Sequence, residues 1–97
     1  MAQRLTPEDR AGALATLLDD GWQMVQGRDA IQKQFVFRNF VQAFAWMTQV
    51  AMWSEKLNHH PEWSNVYKTV DVLLTTHDVN GLTELDVKLA KKMDAFA

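Results

Sequence analysis

The 97-residue chain suits one domain, and a chain of this size buries only about two-thirds of the surface that its unfolded form exposes. The net charge of −2 argues against direct nucleic-acid binding, and the absence of cysteine excludes disulfides and thiolate metal sites. Because 47% of the residues are hydrophobic, including four tryptophans and five phenylalanines, we expect some apolar surface to be buried between subunits.

The first predicted element is a helix that begins after Thr6 and runs to about Asp20. Thr6 suits the N-cap, Pro7 suits the first helical position, and the acidic residues that follow suit the positive end of the helix dipole. Gly21 is placed to end the helix. The charged N-terminal residues lack the apolar core of a secretory signal, so we expect a cytoplasmic protein.

Two apolar runs follow, residues 22–26 and 30–38, and the short polar link between them contains a glycine. This pattern predicts a β-hairpin. In the second run apolar and polar side chains alternate, which predicts a sheet with one covered and one wet face. The covered face would carry Ile31, Phe35 and Phe37, with Lys33 as the exception.

The longest predicted helix begins after an Asn39 cap and ends near Leu57. Trp46 and Trp53 lie on a different face from the other apolar residues, so this helix is apolar around more of its circumference than one sheet contact requires. A buried core helix and a subunit interface both fit, and the small size of the domain favours the interface. The residues expected to share the packing face are Phe40, Phe44, Met47, Val50, Ala51 and Leu57.

The remaining predicted elements are strands over residues 63–67 and 69–75 and a helix from Glu84 to about Phe96, capped by Thr83. Hairpin connections make the strands antiparallel. The order α-β-β-α-β-β-α therefore predicts an α+β fold, a four-stranded antiparallel sheet with three helices packed on one face. The longest uncharged stretch, residues 39–54, is shorter than the roughly 20 apolar residues of a membrane span.

All three histidines fall near the ends of predicted elements, so one site can hold them together. His59 and His60 follow the long helix, and His77 follows the last strand. Imidazole can serve as acid or base near neutral pH, but His59 and His60 would also suit a helix C-terminus. A three-histidine zinc site is a further alternative. It is disfavoured because His59 and His60 are adjacent and lack the i,i+4 spacing of a helical metal pair.

Several neighbours of the histidines are candidate ligand contacts. Trp63 either packs in the core or forms the wall of a pocket for a flat heteroaromatic ligand. Glu55 and Asp86 either lie at the surface, which the sequence alone favours, or orient an imidazole by accepting its second proton. Thr75 and Thr76 are ordinary strand residues whose hydroxyls can also bond a ligand at the strand end.

The segment Glu55–Trp63, residues 65–67 and the pair Thr76 and His77 closely resemble the pterin-4a-carbinolamine dehydratase family. The similarity extends over most of the chain, as one dehydratase-like domain of residues 1–97. It implies dehydration of 4a-hydroxytetrahydrobiopterin to quinonoid dihydrobiopterin and water, supporting tetrahydrobiopterin recycling, without a metal or organic cofactor.

The resemblance also assigns the site. His59 and His77 would perform acid–base catalysis on the 4a-hydroxyl and a ring nitrogen proton, and His60, the third catalytic histidine, would mainly bind the pterin. The implied substrate-binding residues are Glu55, Asn58, His59, His60, Trp63, Thr75, Thr76, His77, Asp78 and Asp86. The chain differs from the vertebrate form at Asn58, Ser64 and Leu85, which stand in place of aspartate, an aromatic residue and arginine.

The same resemblance implies a homodimer or homotetramer that assembles through the sheet edge and the second helix, with Phe44, Met47 and Ala51 in the contact. Animal family members also serve as dimerisation cofactors of a homeodomain transcription factor, the hepatocyte nuclear factor, through that helix surface. A transcriptional coactivator with a nuclear as well as a cytoplasmic location is therefore the alternative function.

Overall fold

The structure is a computed structural model that describes residues 2–97, and its elements follow the predicted α+β order. Helix α1 covers residues 7–19 and contains one π-helical stretch, Arg10–Leu14. The predicted cap is confirmed, because the Thr6 hydroxyl accepts a hydrogen bond from the Asp9 amide at 3.1 Å. The remaining elements are β1 (Gln23–Met24), β2 (Ile31–Val36), α2 (Phe40–Leu57), β3 (Glu62–Val66), β4 (Thr69–Leu74), a short 3-10 helix (His77–Val79) and α3 (Glu84–Phe96).

The four strands form one antiparallel sheet in the order β1-β2-β4-β3. The predicted antiparallel pairing and the hairpin between β1 and β2 are confirmed, although β1 has only two residues. Along β2, Ile31 and Phe35 are buried while the polar residues between them face outward, apart from the half-buried Lys33. Its ammonium group is paired with Asp94 at 2.8 Å, which explains why a cation is tolerated on the covered face.

Helix α2 packs on the sheet through a face that includes Trp46 and only part of the predicted set, chiefly Val50. Trp46 is buried, with its ring centroid 4.6 Å from that of Phe35, and its indole N–H donates to the carbonyl of Met93 at 3.0 Å. Phe40 and Phe44 are 45% and 55% exposed, so their predicted packing role is wrong. The buried residues of α2 are Ala43, Trp46, Val50 and Ser54, whereas Ala51 is exposed and Met47 and Leu57 are half-buried.

Both ends of α2 are set by asparagine. The Asn39 side chain accepts the amide N–H of Gln42 at 2.9 Å, as predicted for the N-cap. At the other end Asn58 adopts a left-handed conformation with φ of 51°, and the His59 amide donates back to the carbonyl of Ser54 at 2.9 Å. This turn sends His59 into the protein and leaves His60 exposed. None of the helices within residues 2–97 combines the length and apolar character needed to cross a membrane.

Candidate active site

A cavity of about 460 Å³ lies between the C-terminal end of α2 and the link from β4 to α3. It brings together all three histidines, as predicted, with Asn58, Thr75, Thr76 and Asp78. This volume is within the usual range for small-molecule sites. Its complete lining is Ala2, Leu57, Asn58, His59, His60, Pro61, Thr75, Thr76, His77, Asp78 and Leu85.

The most enclosed part of the site is the pair formed by His59 and Asp86. The side chain of His59 is 8% exposed and that of Asp86 is fully buried, and Nε2 of the ring lies 2.5 Å from Oδ1 of the carboxylate. As a carboxylate Asp86 can only accept hydrogen bonds, so Nε2 of His59 carries the proton in this pair. The neutral ring then presents Nδ1 as its acceptor nitrogen.

A buried network holds the carboxylate of Asp86 in place. Its Oδ2 accepts the Thr83 amide at 2.9 Å and the Thr76 hydroxyl at 2.8 Å, and the two hydroxyls lie 2.7 Å apart. Thr83 is the N-cap of α3 and Asp86 completes the capping box, so the negative charge stands at the positive end of the helix dipole. The first turn of α3 therefore builds a fixed acceptor for His59.

The other two histidines are paired in the same way, but at the surface. Nε2 of His60 lies 2.5 Å from a carboxylate oxygen of Glu55, and Nε2 of His77 lies 2.8 Å from one of Glu62. Arg28 donates two hydrogen bonds to Glu62, at 2.9 and 3.3 Å. These contacts, first from Arg28 and then from His77, lower the pKa of Glu62 to about 2, so Glu62 is ionised at neutral pH.

A second network fixes the threonines at the end of β4. The Thr75 hydroxyl donates to the backbone carbonyl of Asp29 at 2.9 Å, and the Asp29 side chain accepts two hydrogen bonds from Arg10 and one from the Leu82 amide. The Arg10 hydrogen bonds, aided by the Leu82 amide, lower the pKa of Asp29. Because Thr75 and Thr76 already donate to protein groups, each can offer a ligand only an acceptor oxygen.

Three of the predicted binding residues stand outside the cavity lining. Asp86 is buried behind His59, so the surface interpretation is wrong, and its contact with Nε2 of His59 fits the alternative, a carboxylate that orients an imidazole. Glu55 is exposed and reaches the cavity only through His60. Trp63 is half-buried on the covered face of the sheet, with its ring centroid 6.3 Å from that of Trp46. Of the two roles considered for Trp63, the structure shows core packing, and the pterin contact implied for it is not part of this cavity.

The two alternatives to acid–base chemistry receive little geometric support. All three imidazoles hydrogen-bond a carboxylate through Nε2, which differs from a side chain that caps the last carbonyls of a helix. Within residues 2–97 there is no cluster of three or more histidine, aspartate or glutamate side chains arranged to hold a metal ion.

Sequence reasoning missed Glu62 and Arg28 as contributors to the site. Glu62 lies beside the two adjacent histidines, and that proximity is the only sequence signal for it. Arg28 is 34 positions away from Glu62 and lies in the link before β2, so only the folded sheet brings the two together.

The arrangement offers two differently solvated imidazoles on one cavity, each with its proton fixed at Nε2 by a carboxylate. Such a pair can deliver a proton to one atom of a bound molecule and remove a proton from another. The apolar side chains of Leu57, Pro61 and Leu85 supply surface for a ring system between them.

Comparison with known proteins agrees with this geometry. The family model described as pterin 4 alpha carbinolamine dehydratase matches residues 3–96. A relative from Roseobacter denitrificans is 64% identical over 97 residues and is covered to 99% of its length. The pterin-4-alpha-carbinolamine dehydratase of Drosophila melanogaster is 54% identical over 97 residues, which are all of this chain and 50% of that protein.

Among solved structures, the transcriptional coactivator/pterin dehydratase from Brucella melitensis superimposes with a TM-score of 0.90. It is 54% identical in sequence, and the match covers 98% of this chain and 99% of that one. The family model spans nearly the whole chain, and several relatives are more than 50% identical to it. The chain therefore belongs to the pterin-4a-carbinolamine dehydratase family.

Proposed function

We propose that this protein dehydrates 4a-hydroxytetrahydrobiopterin to quinonoid dihydrobiopterin and water, and so supports tetrahydrobiopterin recycling. The observation that carries the proposal is the pair of carboxylate-anchored imidazoles, His59 and His77, on one cavity of about 460 Å³. Family membership and the name of the Drosophila relative support the same reaction.

The chemistry requires two proton transfers on one flat molecule. The 4a-hydroxyl leaves as water when an acid gives its oxygen a proton, and a base removes the proton of the adjacent ring nitrogen as the carbon–nitrogen double bond forms. One imidazole enters as the imidazolium and donates its Nδ1 proton to the leaving hydroxyl, the other enters neutral and accepts the ring-nitrogen proton at Nδ1, and proton exchange with water restores both rings after each turnover. We propose that His59 and His77 share these two tasks and that His60 mainly binds the pterin.

The remaining binding residues would act around these imidazoles. Asn58, Thr75, Thr76 and Asp78 line the cavity and would contact the pterin directly. The hydroxyl oxygens of the two threonines suit the N–H groups of a pterin ring, because their own protons are already donated to protein groups. Asp86 and Glu55 would act through His59 and His60 respectively.

A stopped-flow assay that follows disappearance of the 4a-carbinolamine, with and without a chelator, tests this proposal. We expect His59→Ala and His77→Ala each to lower kcat by about 10²–10⁴-fold, the usual contribution of acid–base catalysis. His60→Ala should raise KM more than it lowers kcat. Wild-type kcat in both of the first two variants would refute the catalytic roles, and loss of activity with chelator would point to a metal-dependent reaction instead.

We also propose that the protein forms a homodimer or homotetramer through the outward face of α2. Phe44 is 55% exposed and Ala51 is exposed, as an interface requires, whereas Met47 is half-buried and contributes less. Other exposed apolar residues extend this face along the helix, namely Phe40, Val41 and Met52. An apolar strip of this kind on a small domain is typical of a protein contact. The sheet edge at β3 is the second surface proposed for assembly.

The coactivator function is the second candidate, and two observations favour it. The solved Brucella relative is described as a transcriptional coactivator as well as a pterin dehydratase, and the same α2 face would bind the dimerisation helices of a homeodomain factor. A coactivator function would place the protein in the nucleus as well as the cytoplasm. Co-purification with those helices under subunit exchange would support the function, and failure to bind would reject it.

A further inference from the structure

Arg28, Glu62 and His77 form a chain of hydrogen bonds across one end of the sheet. Arg28 comes from the link before β2, Glu62 is the first residue of β3, and His77 follows β4. The guanidinium donates from Nη1 to Oε1 of Glu62 at 3.3 Å and from Nη2 to Oε2 at 2.9 Å. Oε2 also lies 2.8 Å from Nε2 of His77. The carboxylate is thus held on one side by Arg28 and contacts the cavity histidine on the other.

The chain of bonds has a defined proton arrangement. The pKa of Glu62 is lowered to about 2, so the side chain is a carboxylate at neutral pH and only accepts hydrogen bonds. The proton between Glu62 and His77 therefore belongs to Nε2 of the imidazole, and a neutral His77 presents Nδ1 as its basic nitrogen. The imidazole is 69% exposed, so the cavity alone does little to restrict its rotation.

We propose that Arg28 and Glu62 are positioning residues for His77: Arg28 anchors the Glu62 carboxylate, which fixes the orientation and tautomer of the imidazole so that Nδ1 exchanges the proton with the substrate. The proposal rests on the dehydratase function proposed above. It gives this exposed imidazole the same type of support that the buried Asp86 gives His59, from a different part of the chain.

Glu62→Ala is the sharpest test, because Oε2 accepts from both Arg28 and His77 and only its removal takes away the acceptor of Nε2. Without the carboxylate, the Nε2–H group of His77 has no fixed acceptor, so the exposed ring can rotate and exchange between its two neutral tautomers. We expect kcat to fall by about 10-fold with KM within about twofold, as for other groups that orient a catalytic side chain. Arg28→Ala should cause a smaller fall in kcat, because Glu62 remains but loses its anchor.

The His77 tautomer can be measured without turnover, from the nitrogen-15 shifts of the imidazole at a pH where the ring is neutral. We expect the Nε2–H form in the wild-type protein and a mixture of the two neutral tautomers in Glu62→Ala. Two matched controls lie away from the cavity: Asp71→Asn changes a carboxylate on β4 that accepts from Gln34 at 3.0 Å, and Arg38→Ala removes an exposed arginine. Both controls should keep wild-type kcat and the wild-type tautomer.

The outcomes separate this proposal from the dehydratase function. Wild-type kcat in Glu62→Ala, or a lower kcat with an unchanged His77 tautomer, would overturn the positioning role. If the wild-type protein does not dehydrate the carbinolamine, the proposed function fails, while the nitrogen-15 shifts still decide whether Glu62 sets the tautomer. Exposed ion pairs contribute little to folding stability, so all four variants should fold normally.

Discussion

Replacing Asp86 by asparagine should separate the orientation of His59 from the shape of its pocket. The carboxylate is fully buried, accepts two hydrogen bonds at Oδ2 from Thr76 and Thr83, and contacts Nε2 of His59 through Oδ1. An asparagine can keep both donors satisfied only if its single oxygen occupies the Oδ2 position. Its amide NH₂ then faces Nε2 of His59, which must become an acceptor, so the proton of the neutral ring moves to Nδ1.

The expected loss of stability is moderate. Hydrogen bonds to a charged group contribute about 1.5–3 kcal/mol each, against about 0.5–1.5 kcal/mol for neutral pairs. The two bonds at Oδ2 become neutral in Asp86→Asn, which predicts a free energy of unfolding lower by roughly 2 kcal/mol. The variant should therefore remain folded at room temperature, because natural domains have stabilities of about 5–15 kcal/mol.

The expected fall in kcat is larger than the moderate fall in stability would suggest. Holding one of two acid–base groups in the wrong tautomer should lower kcat by at least about 10²-fold. The assay is stopped-flow dehydration at saturating substrate, with urea unfolding measured on the same samples. Asp94→Asn is the matched control on the same helix, since Asp94 accepts from Trp22 and Lys33 at 3.0 and 2.8 Å away from the cavity. It should lose stability and keep kcat within about twofold.

A kcat for Asp86→Asn within about threefold of wild type, in protein shown to be folded, would refute the claim that this carboxylate orients His59. If Asp94→Asn lost a comparable fraction of kcat, the loss in Asp86→Asn would be explained by reduced stability of α3 instead.

Two further predictions concern acid stability and assembly. The pKa values of Asp29 and Glu62 are lowered in the folded protein, so both carboxylates contribute stability that is lost as the pH falls. For Glu62 the contribution is fully present above its ordinary pKa of 4.5 and is lost toward its folded-state pKa of about 2. The free energy of unfolding, measured with urea, should fall as the pH is lowered across this window, and less steeply in Glu62→Gln than in the wild-type protein. The same pH dependence in both proteins would contradict the lowered pKa of Glu62. Phe44→Glu should shift sedimentation toward smaller species with unchanged circular dichroism, whereas Gln49→Glu on the same helix should not; an unchanged sedimentation coefficient in Phe44→Glu would reject this face as the interface.

The starts of the three helices could be predicted because capping is a local interaction. Thr6, Asn39 and Thr83 each accept an amide N–H within the next three residues, and residue type reveals that preference. The inward face of α2 could not be predicted in this way, since the helix carries apolar residues around most of its circumference. The choice depends on Trp46, which contacts Phe35 and the Met93 carbonyl, and both partners are distant in the sequence.

The histidine trio was predictable because each imidazole lies where a helix or strand ends, but its partners were less so. Glu62 resembles any exposed carboxylate on a strand, and its significance depends on Arg28 and His77, which approach it from two other links of the sheet. Trp63 was expected at the cavity because it lies close to the histidines in sequence. In a β-strand, however, neighbouring side chains point to opposite faces, so Trp63 packs toward the core while Glu62 faces outward.

The different burial of the two supporting carboxylates explains why their expected effects on kcat differ. Asp86 is fully buried and water cannot replace it, so an asparagine there leaves His59 no alternative acceptor for Nε2–H. Glu62 has a side chain that is 42% exposed, so solvent can partly substitute for the lost hydrogen bond to His77. Loss of the carboxylate acceptor is therefore expected to lower kcat by at least about 10²-fold at Asp86 but only by about 10-fold at Glu62. Equal losses at both positions would show that burial does not determine how strongly each carboxylate supports its imidazole.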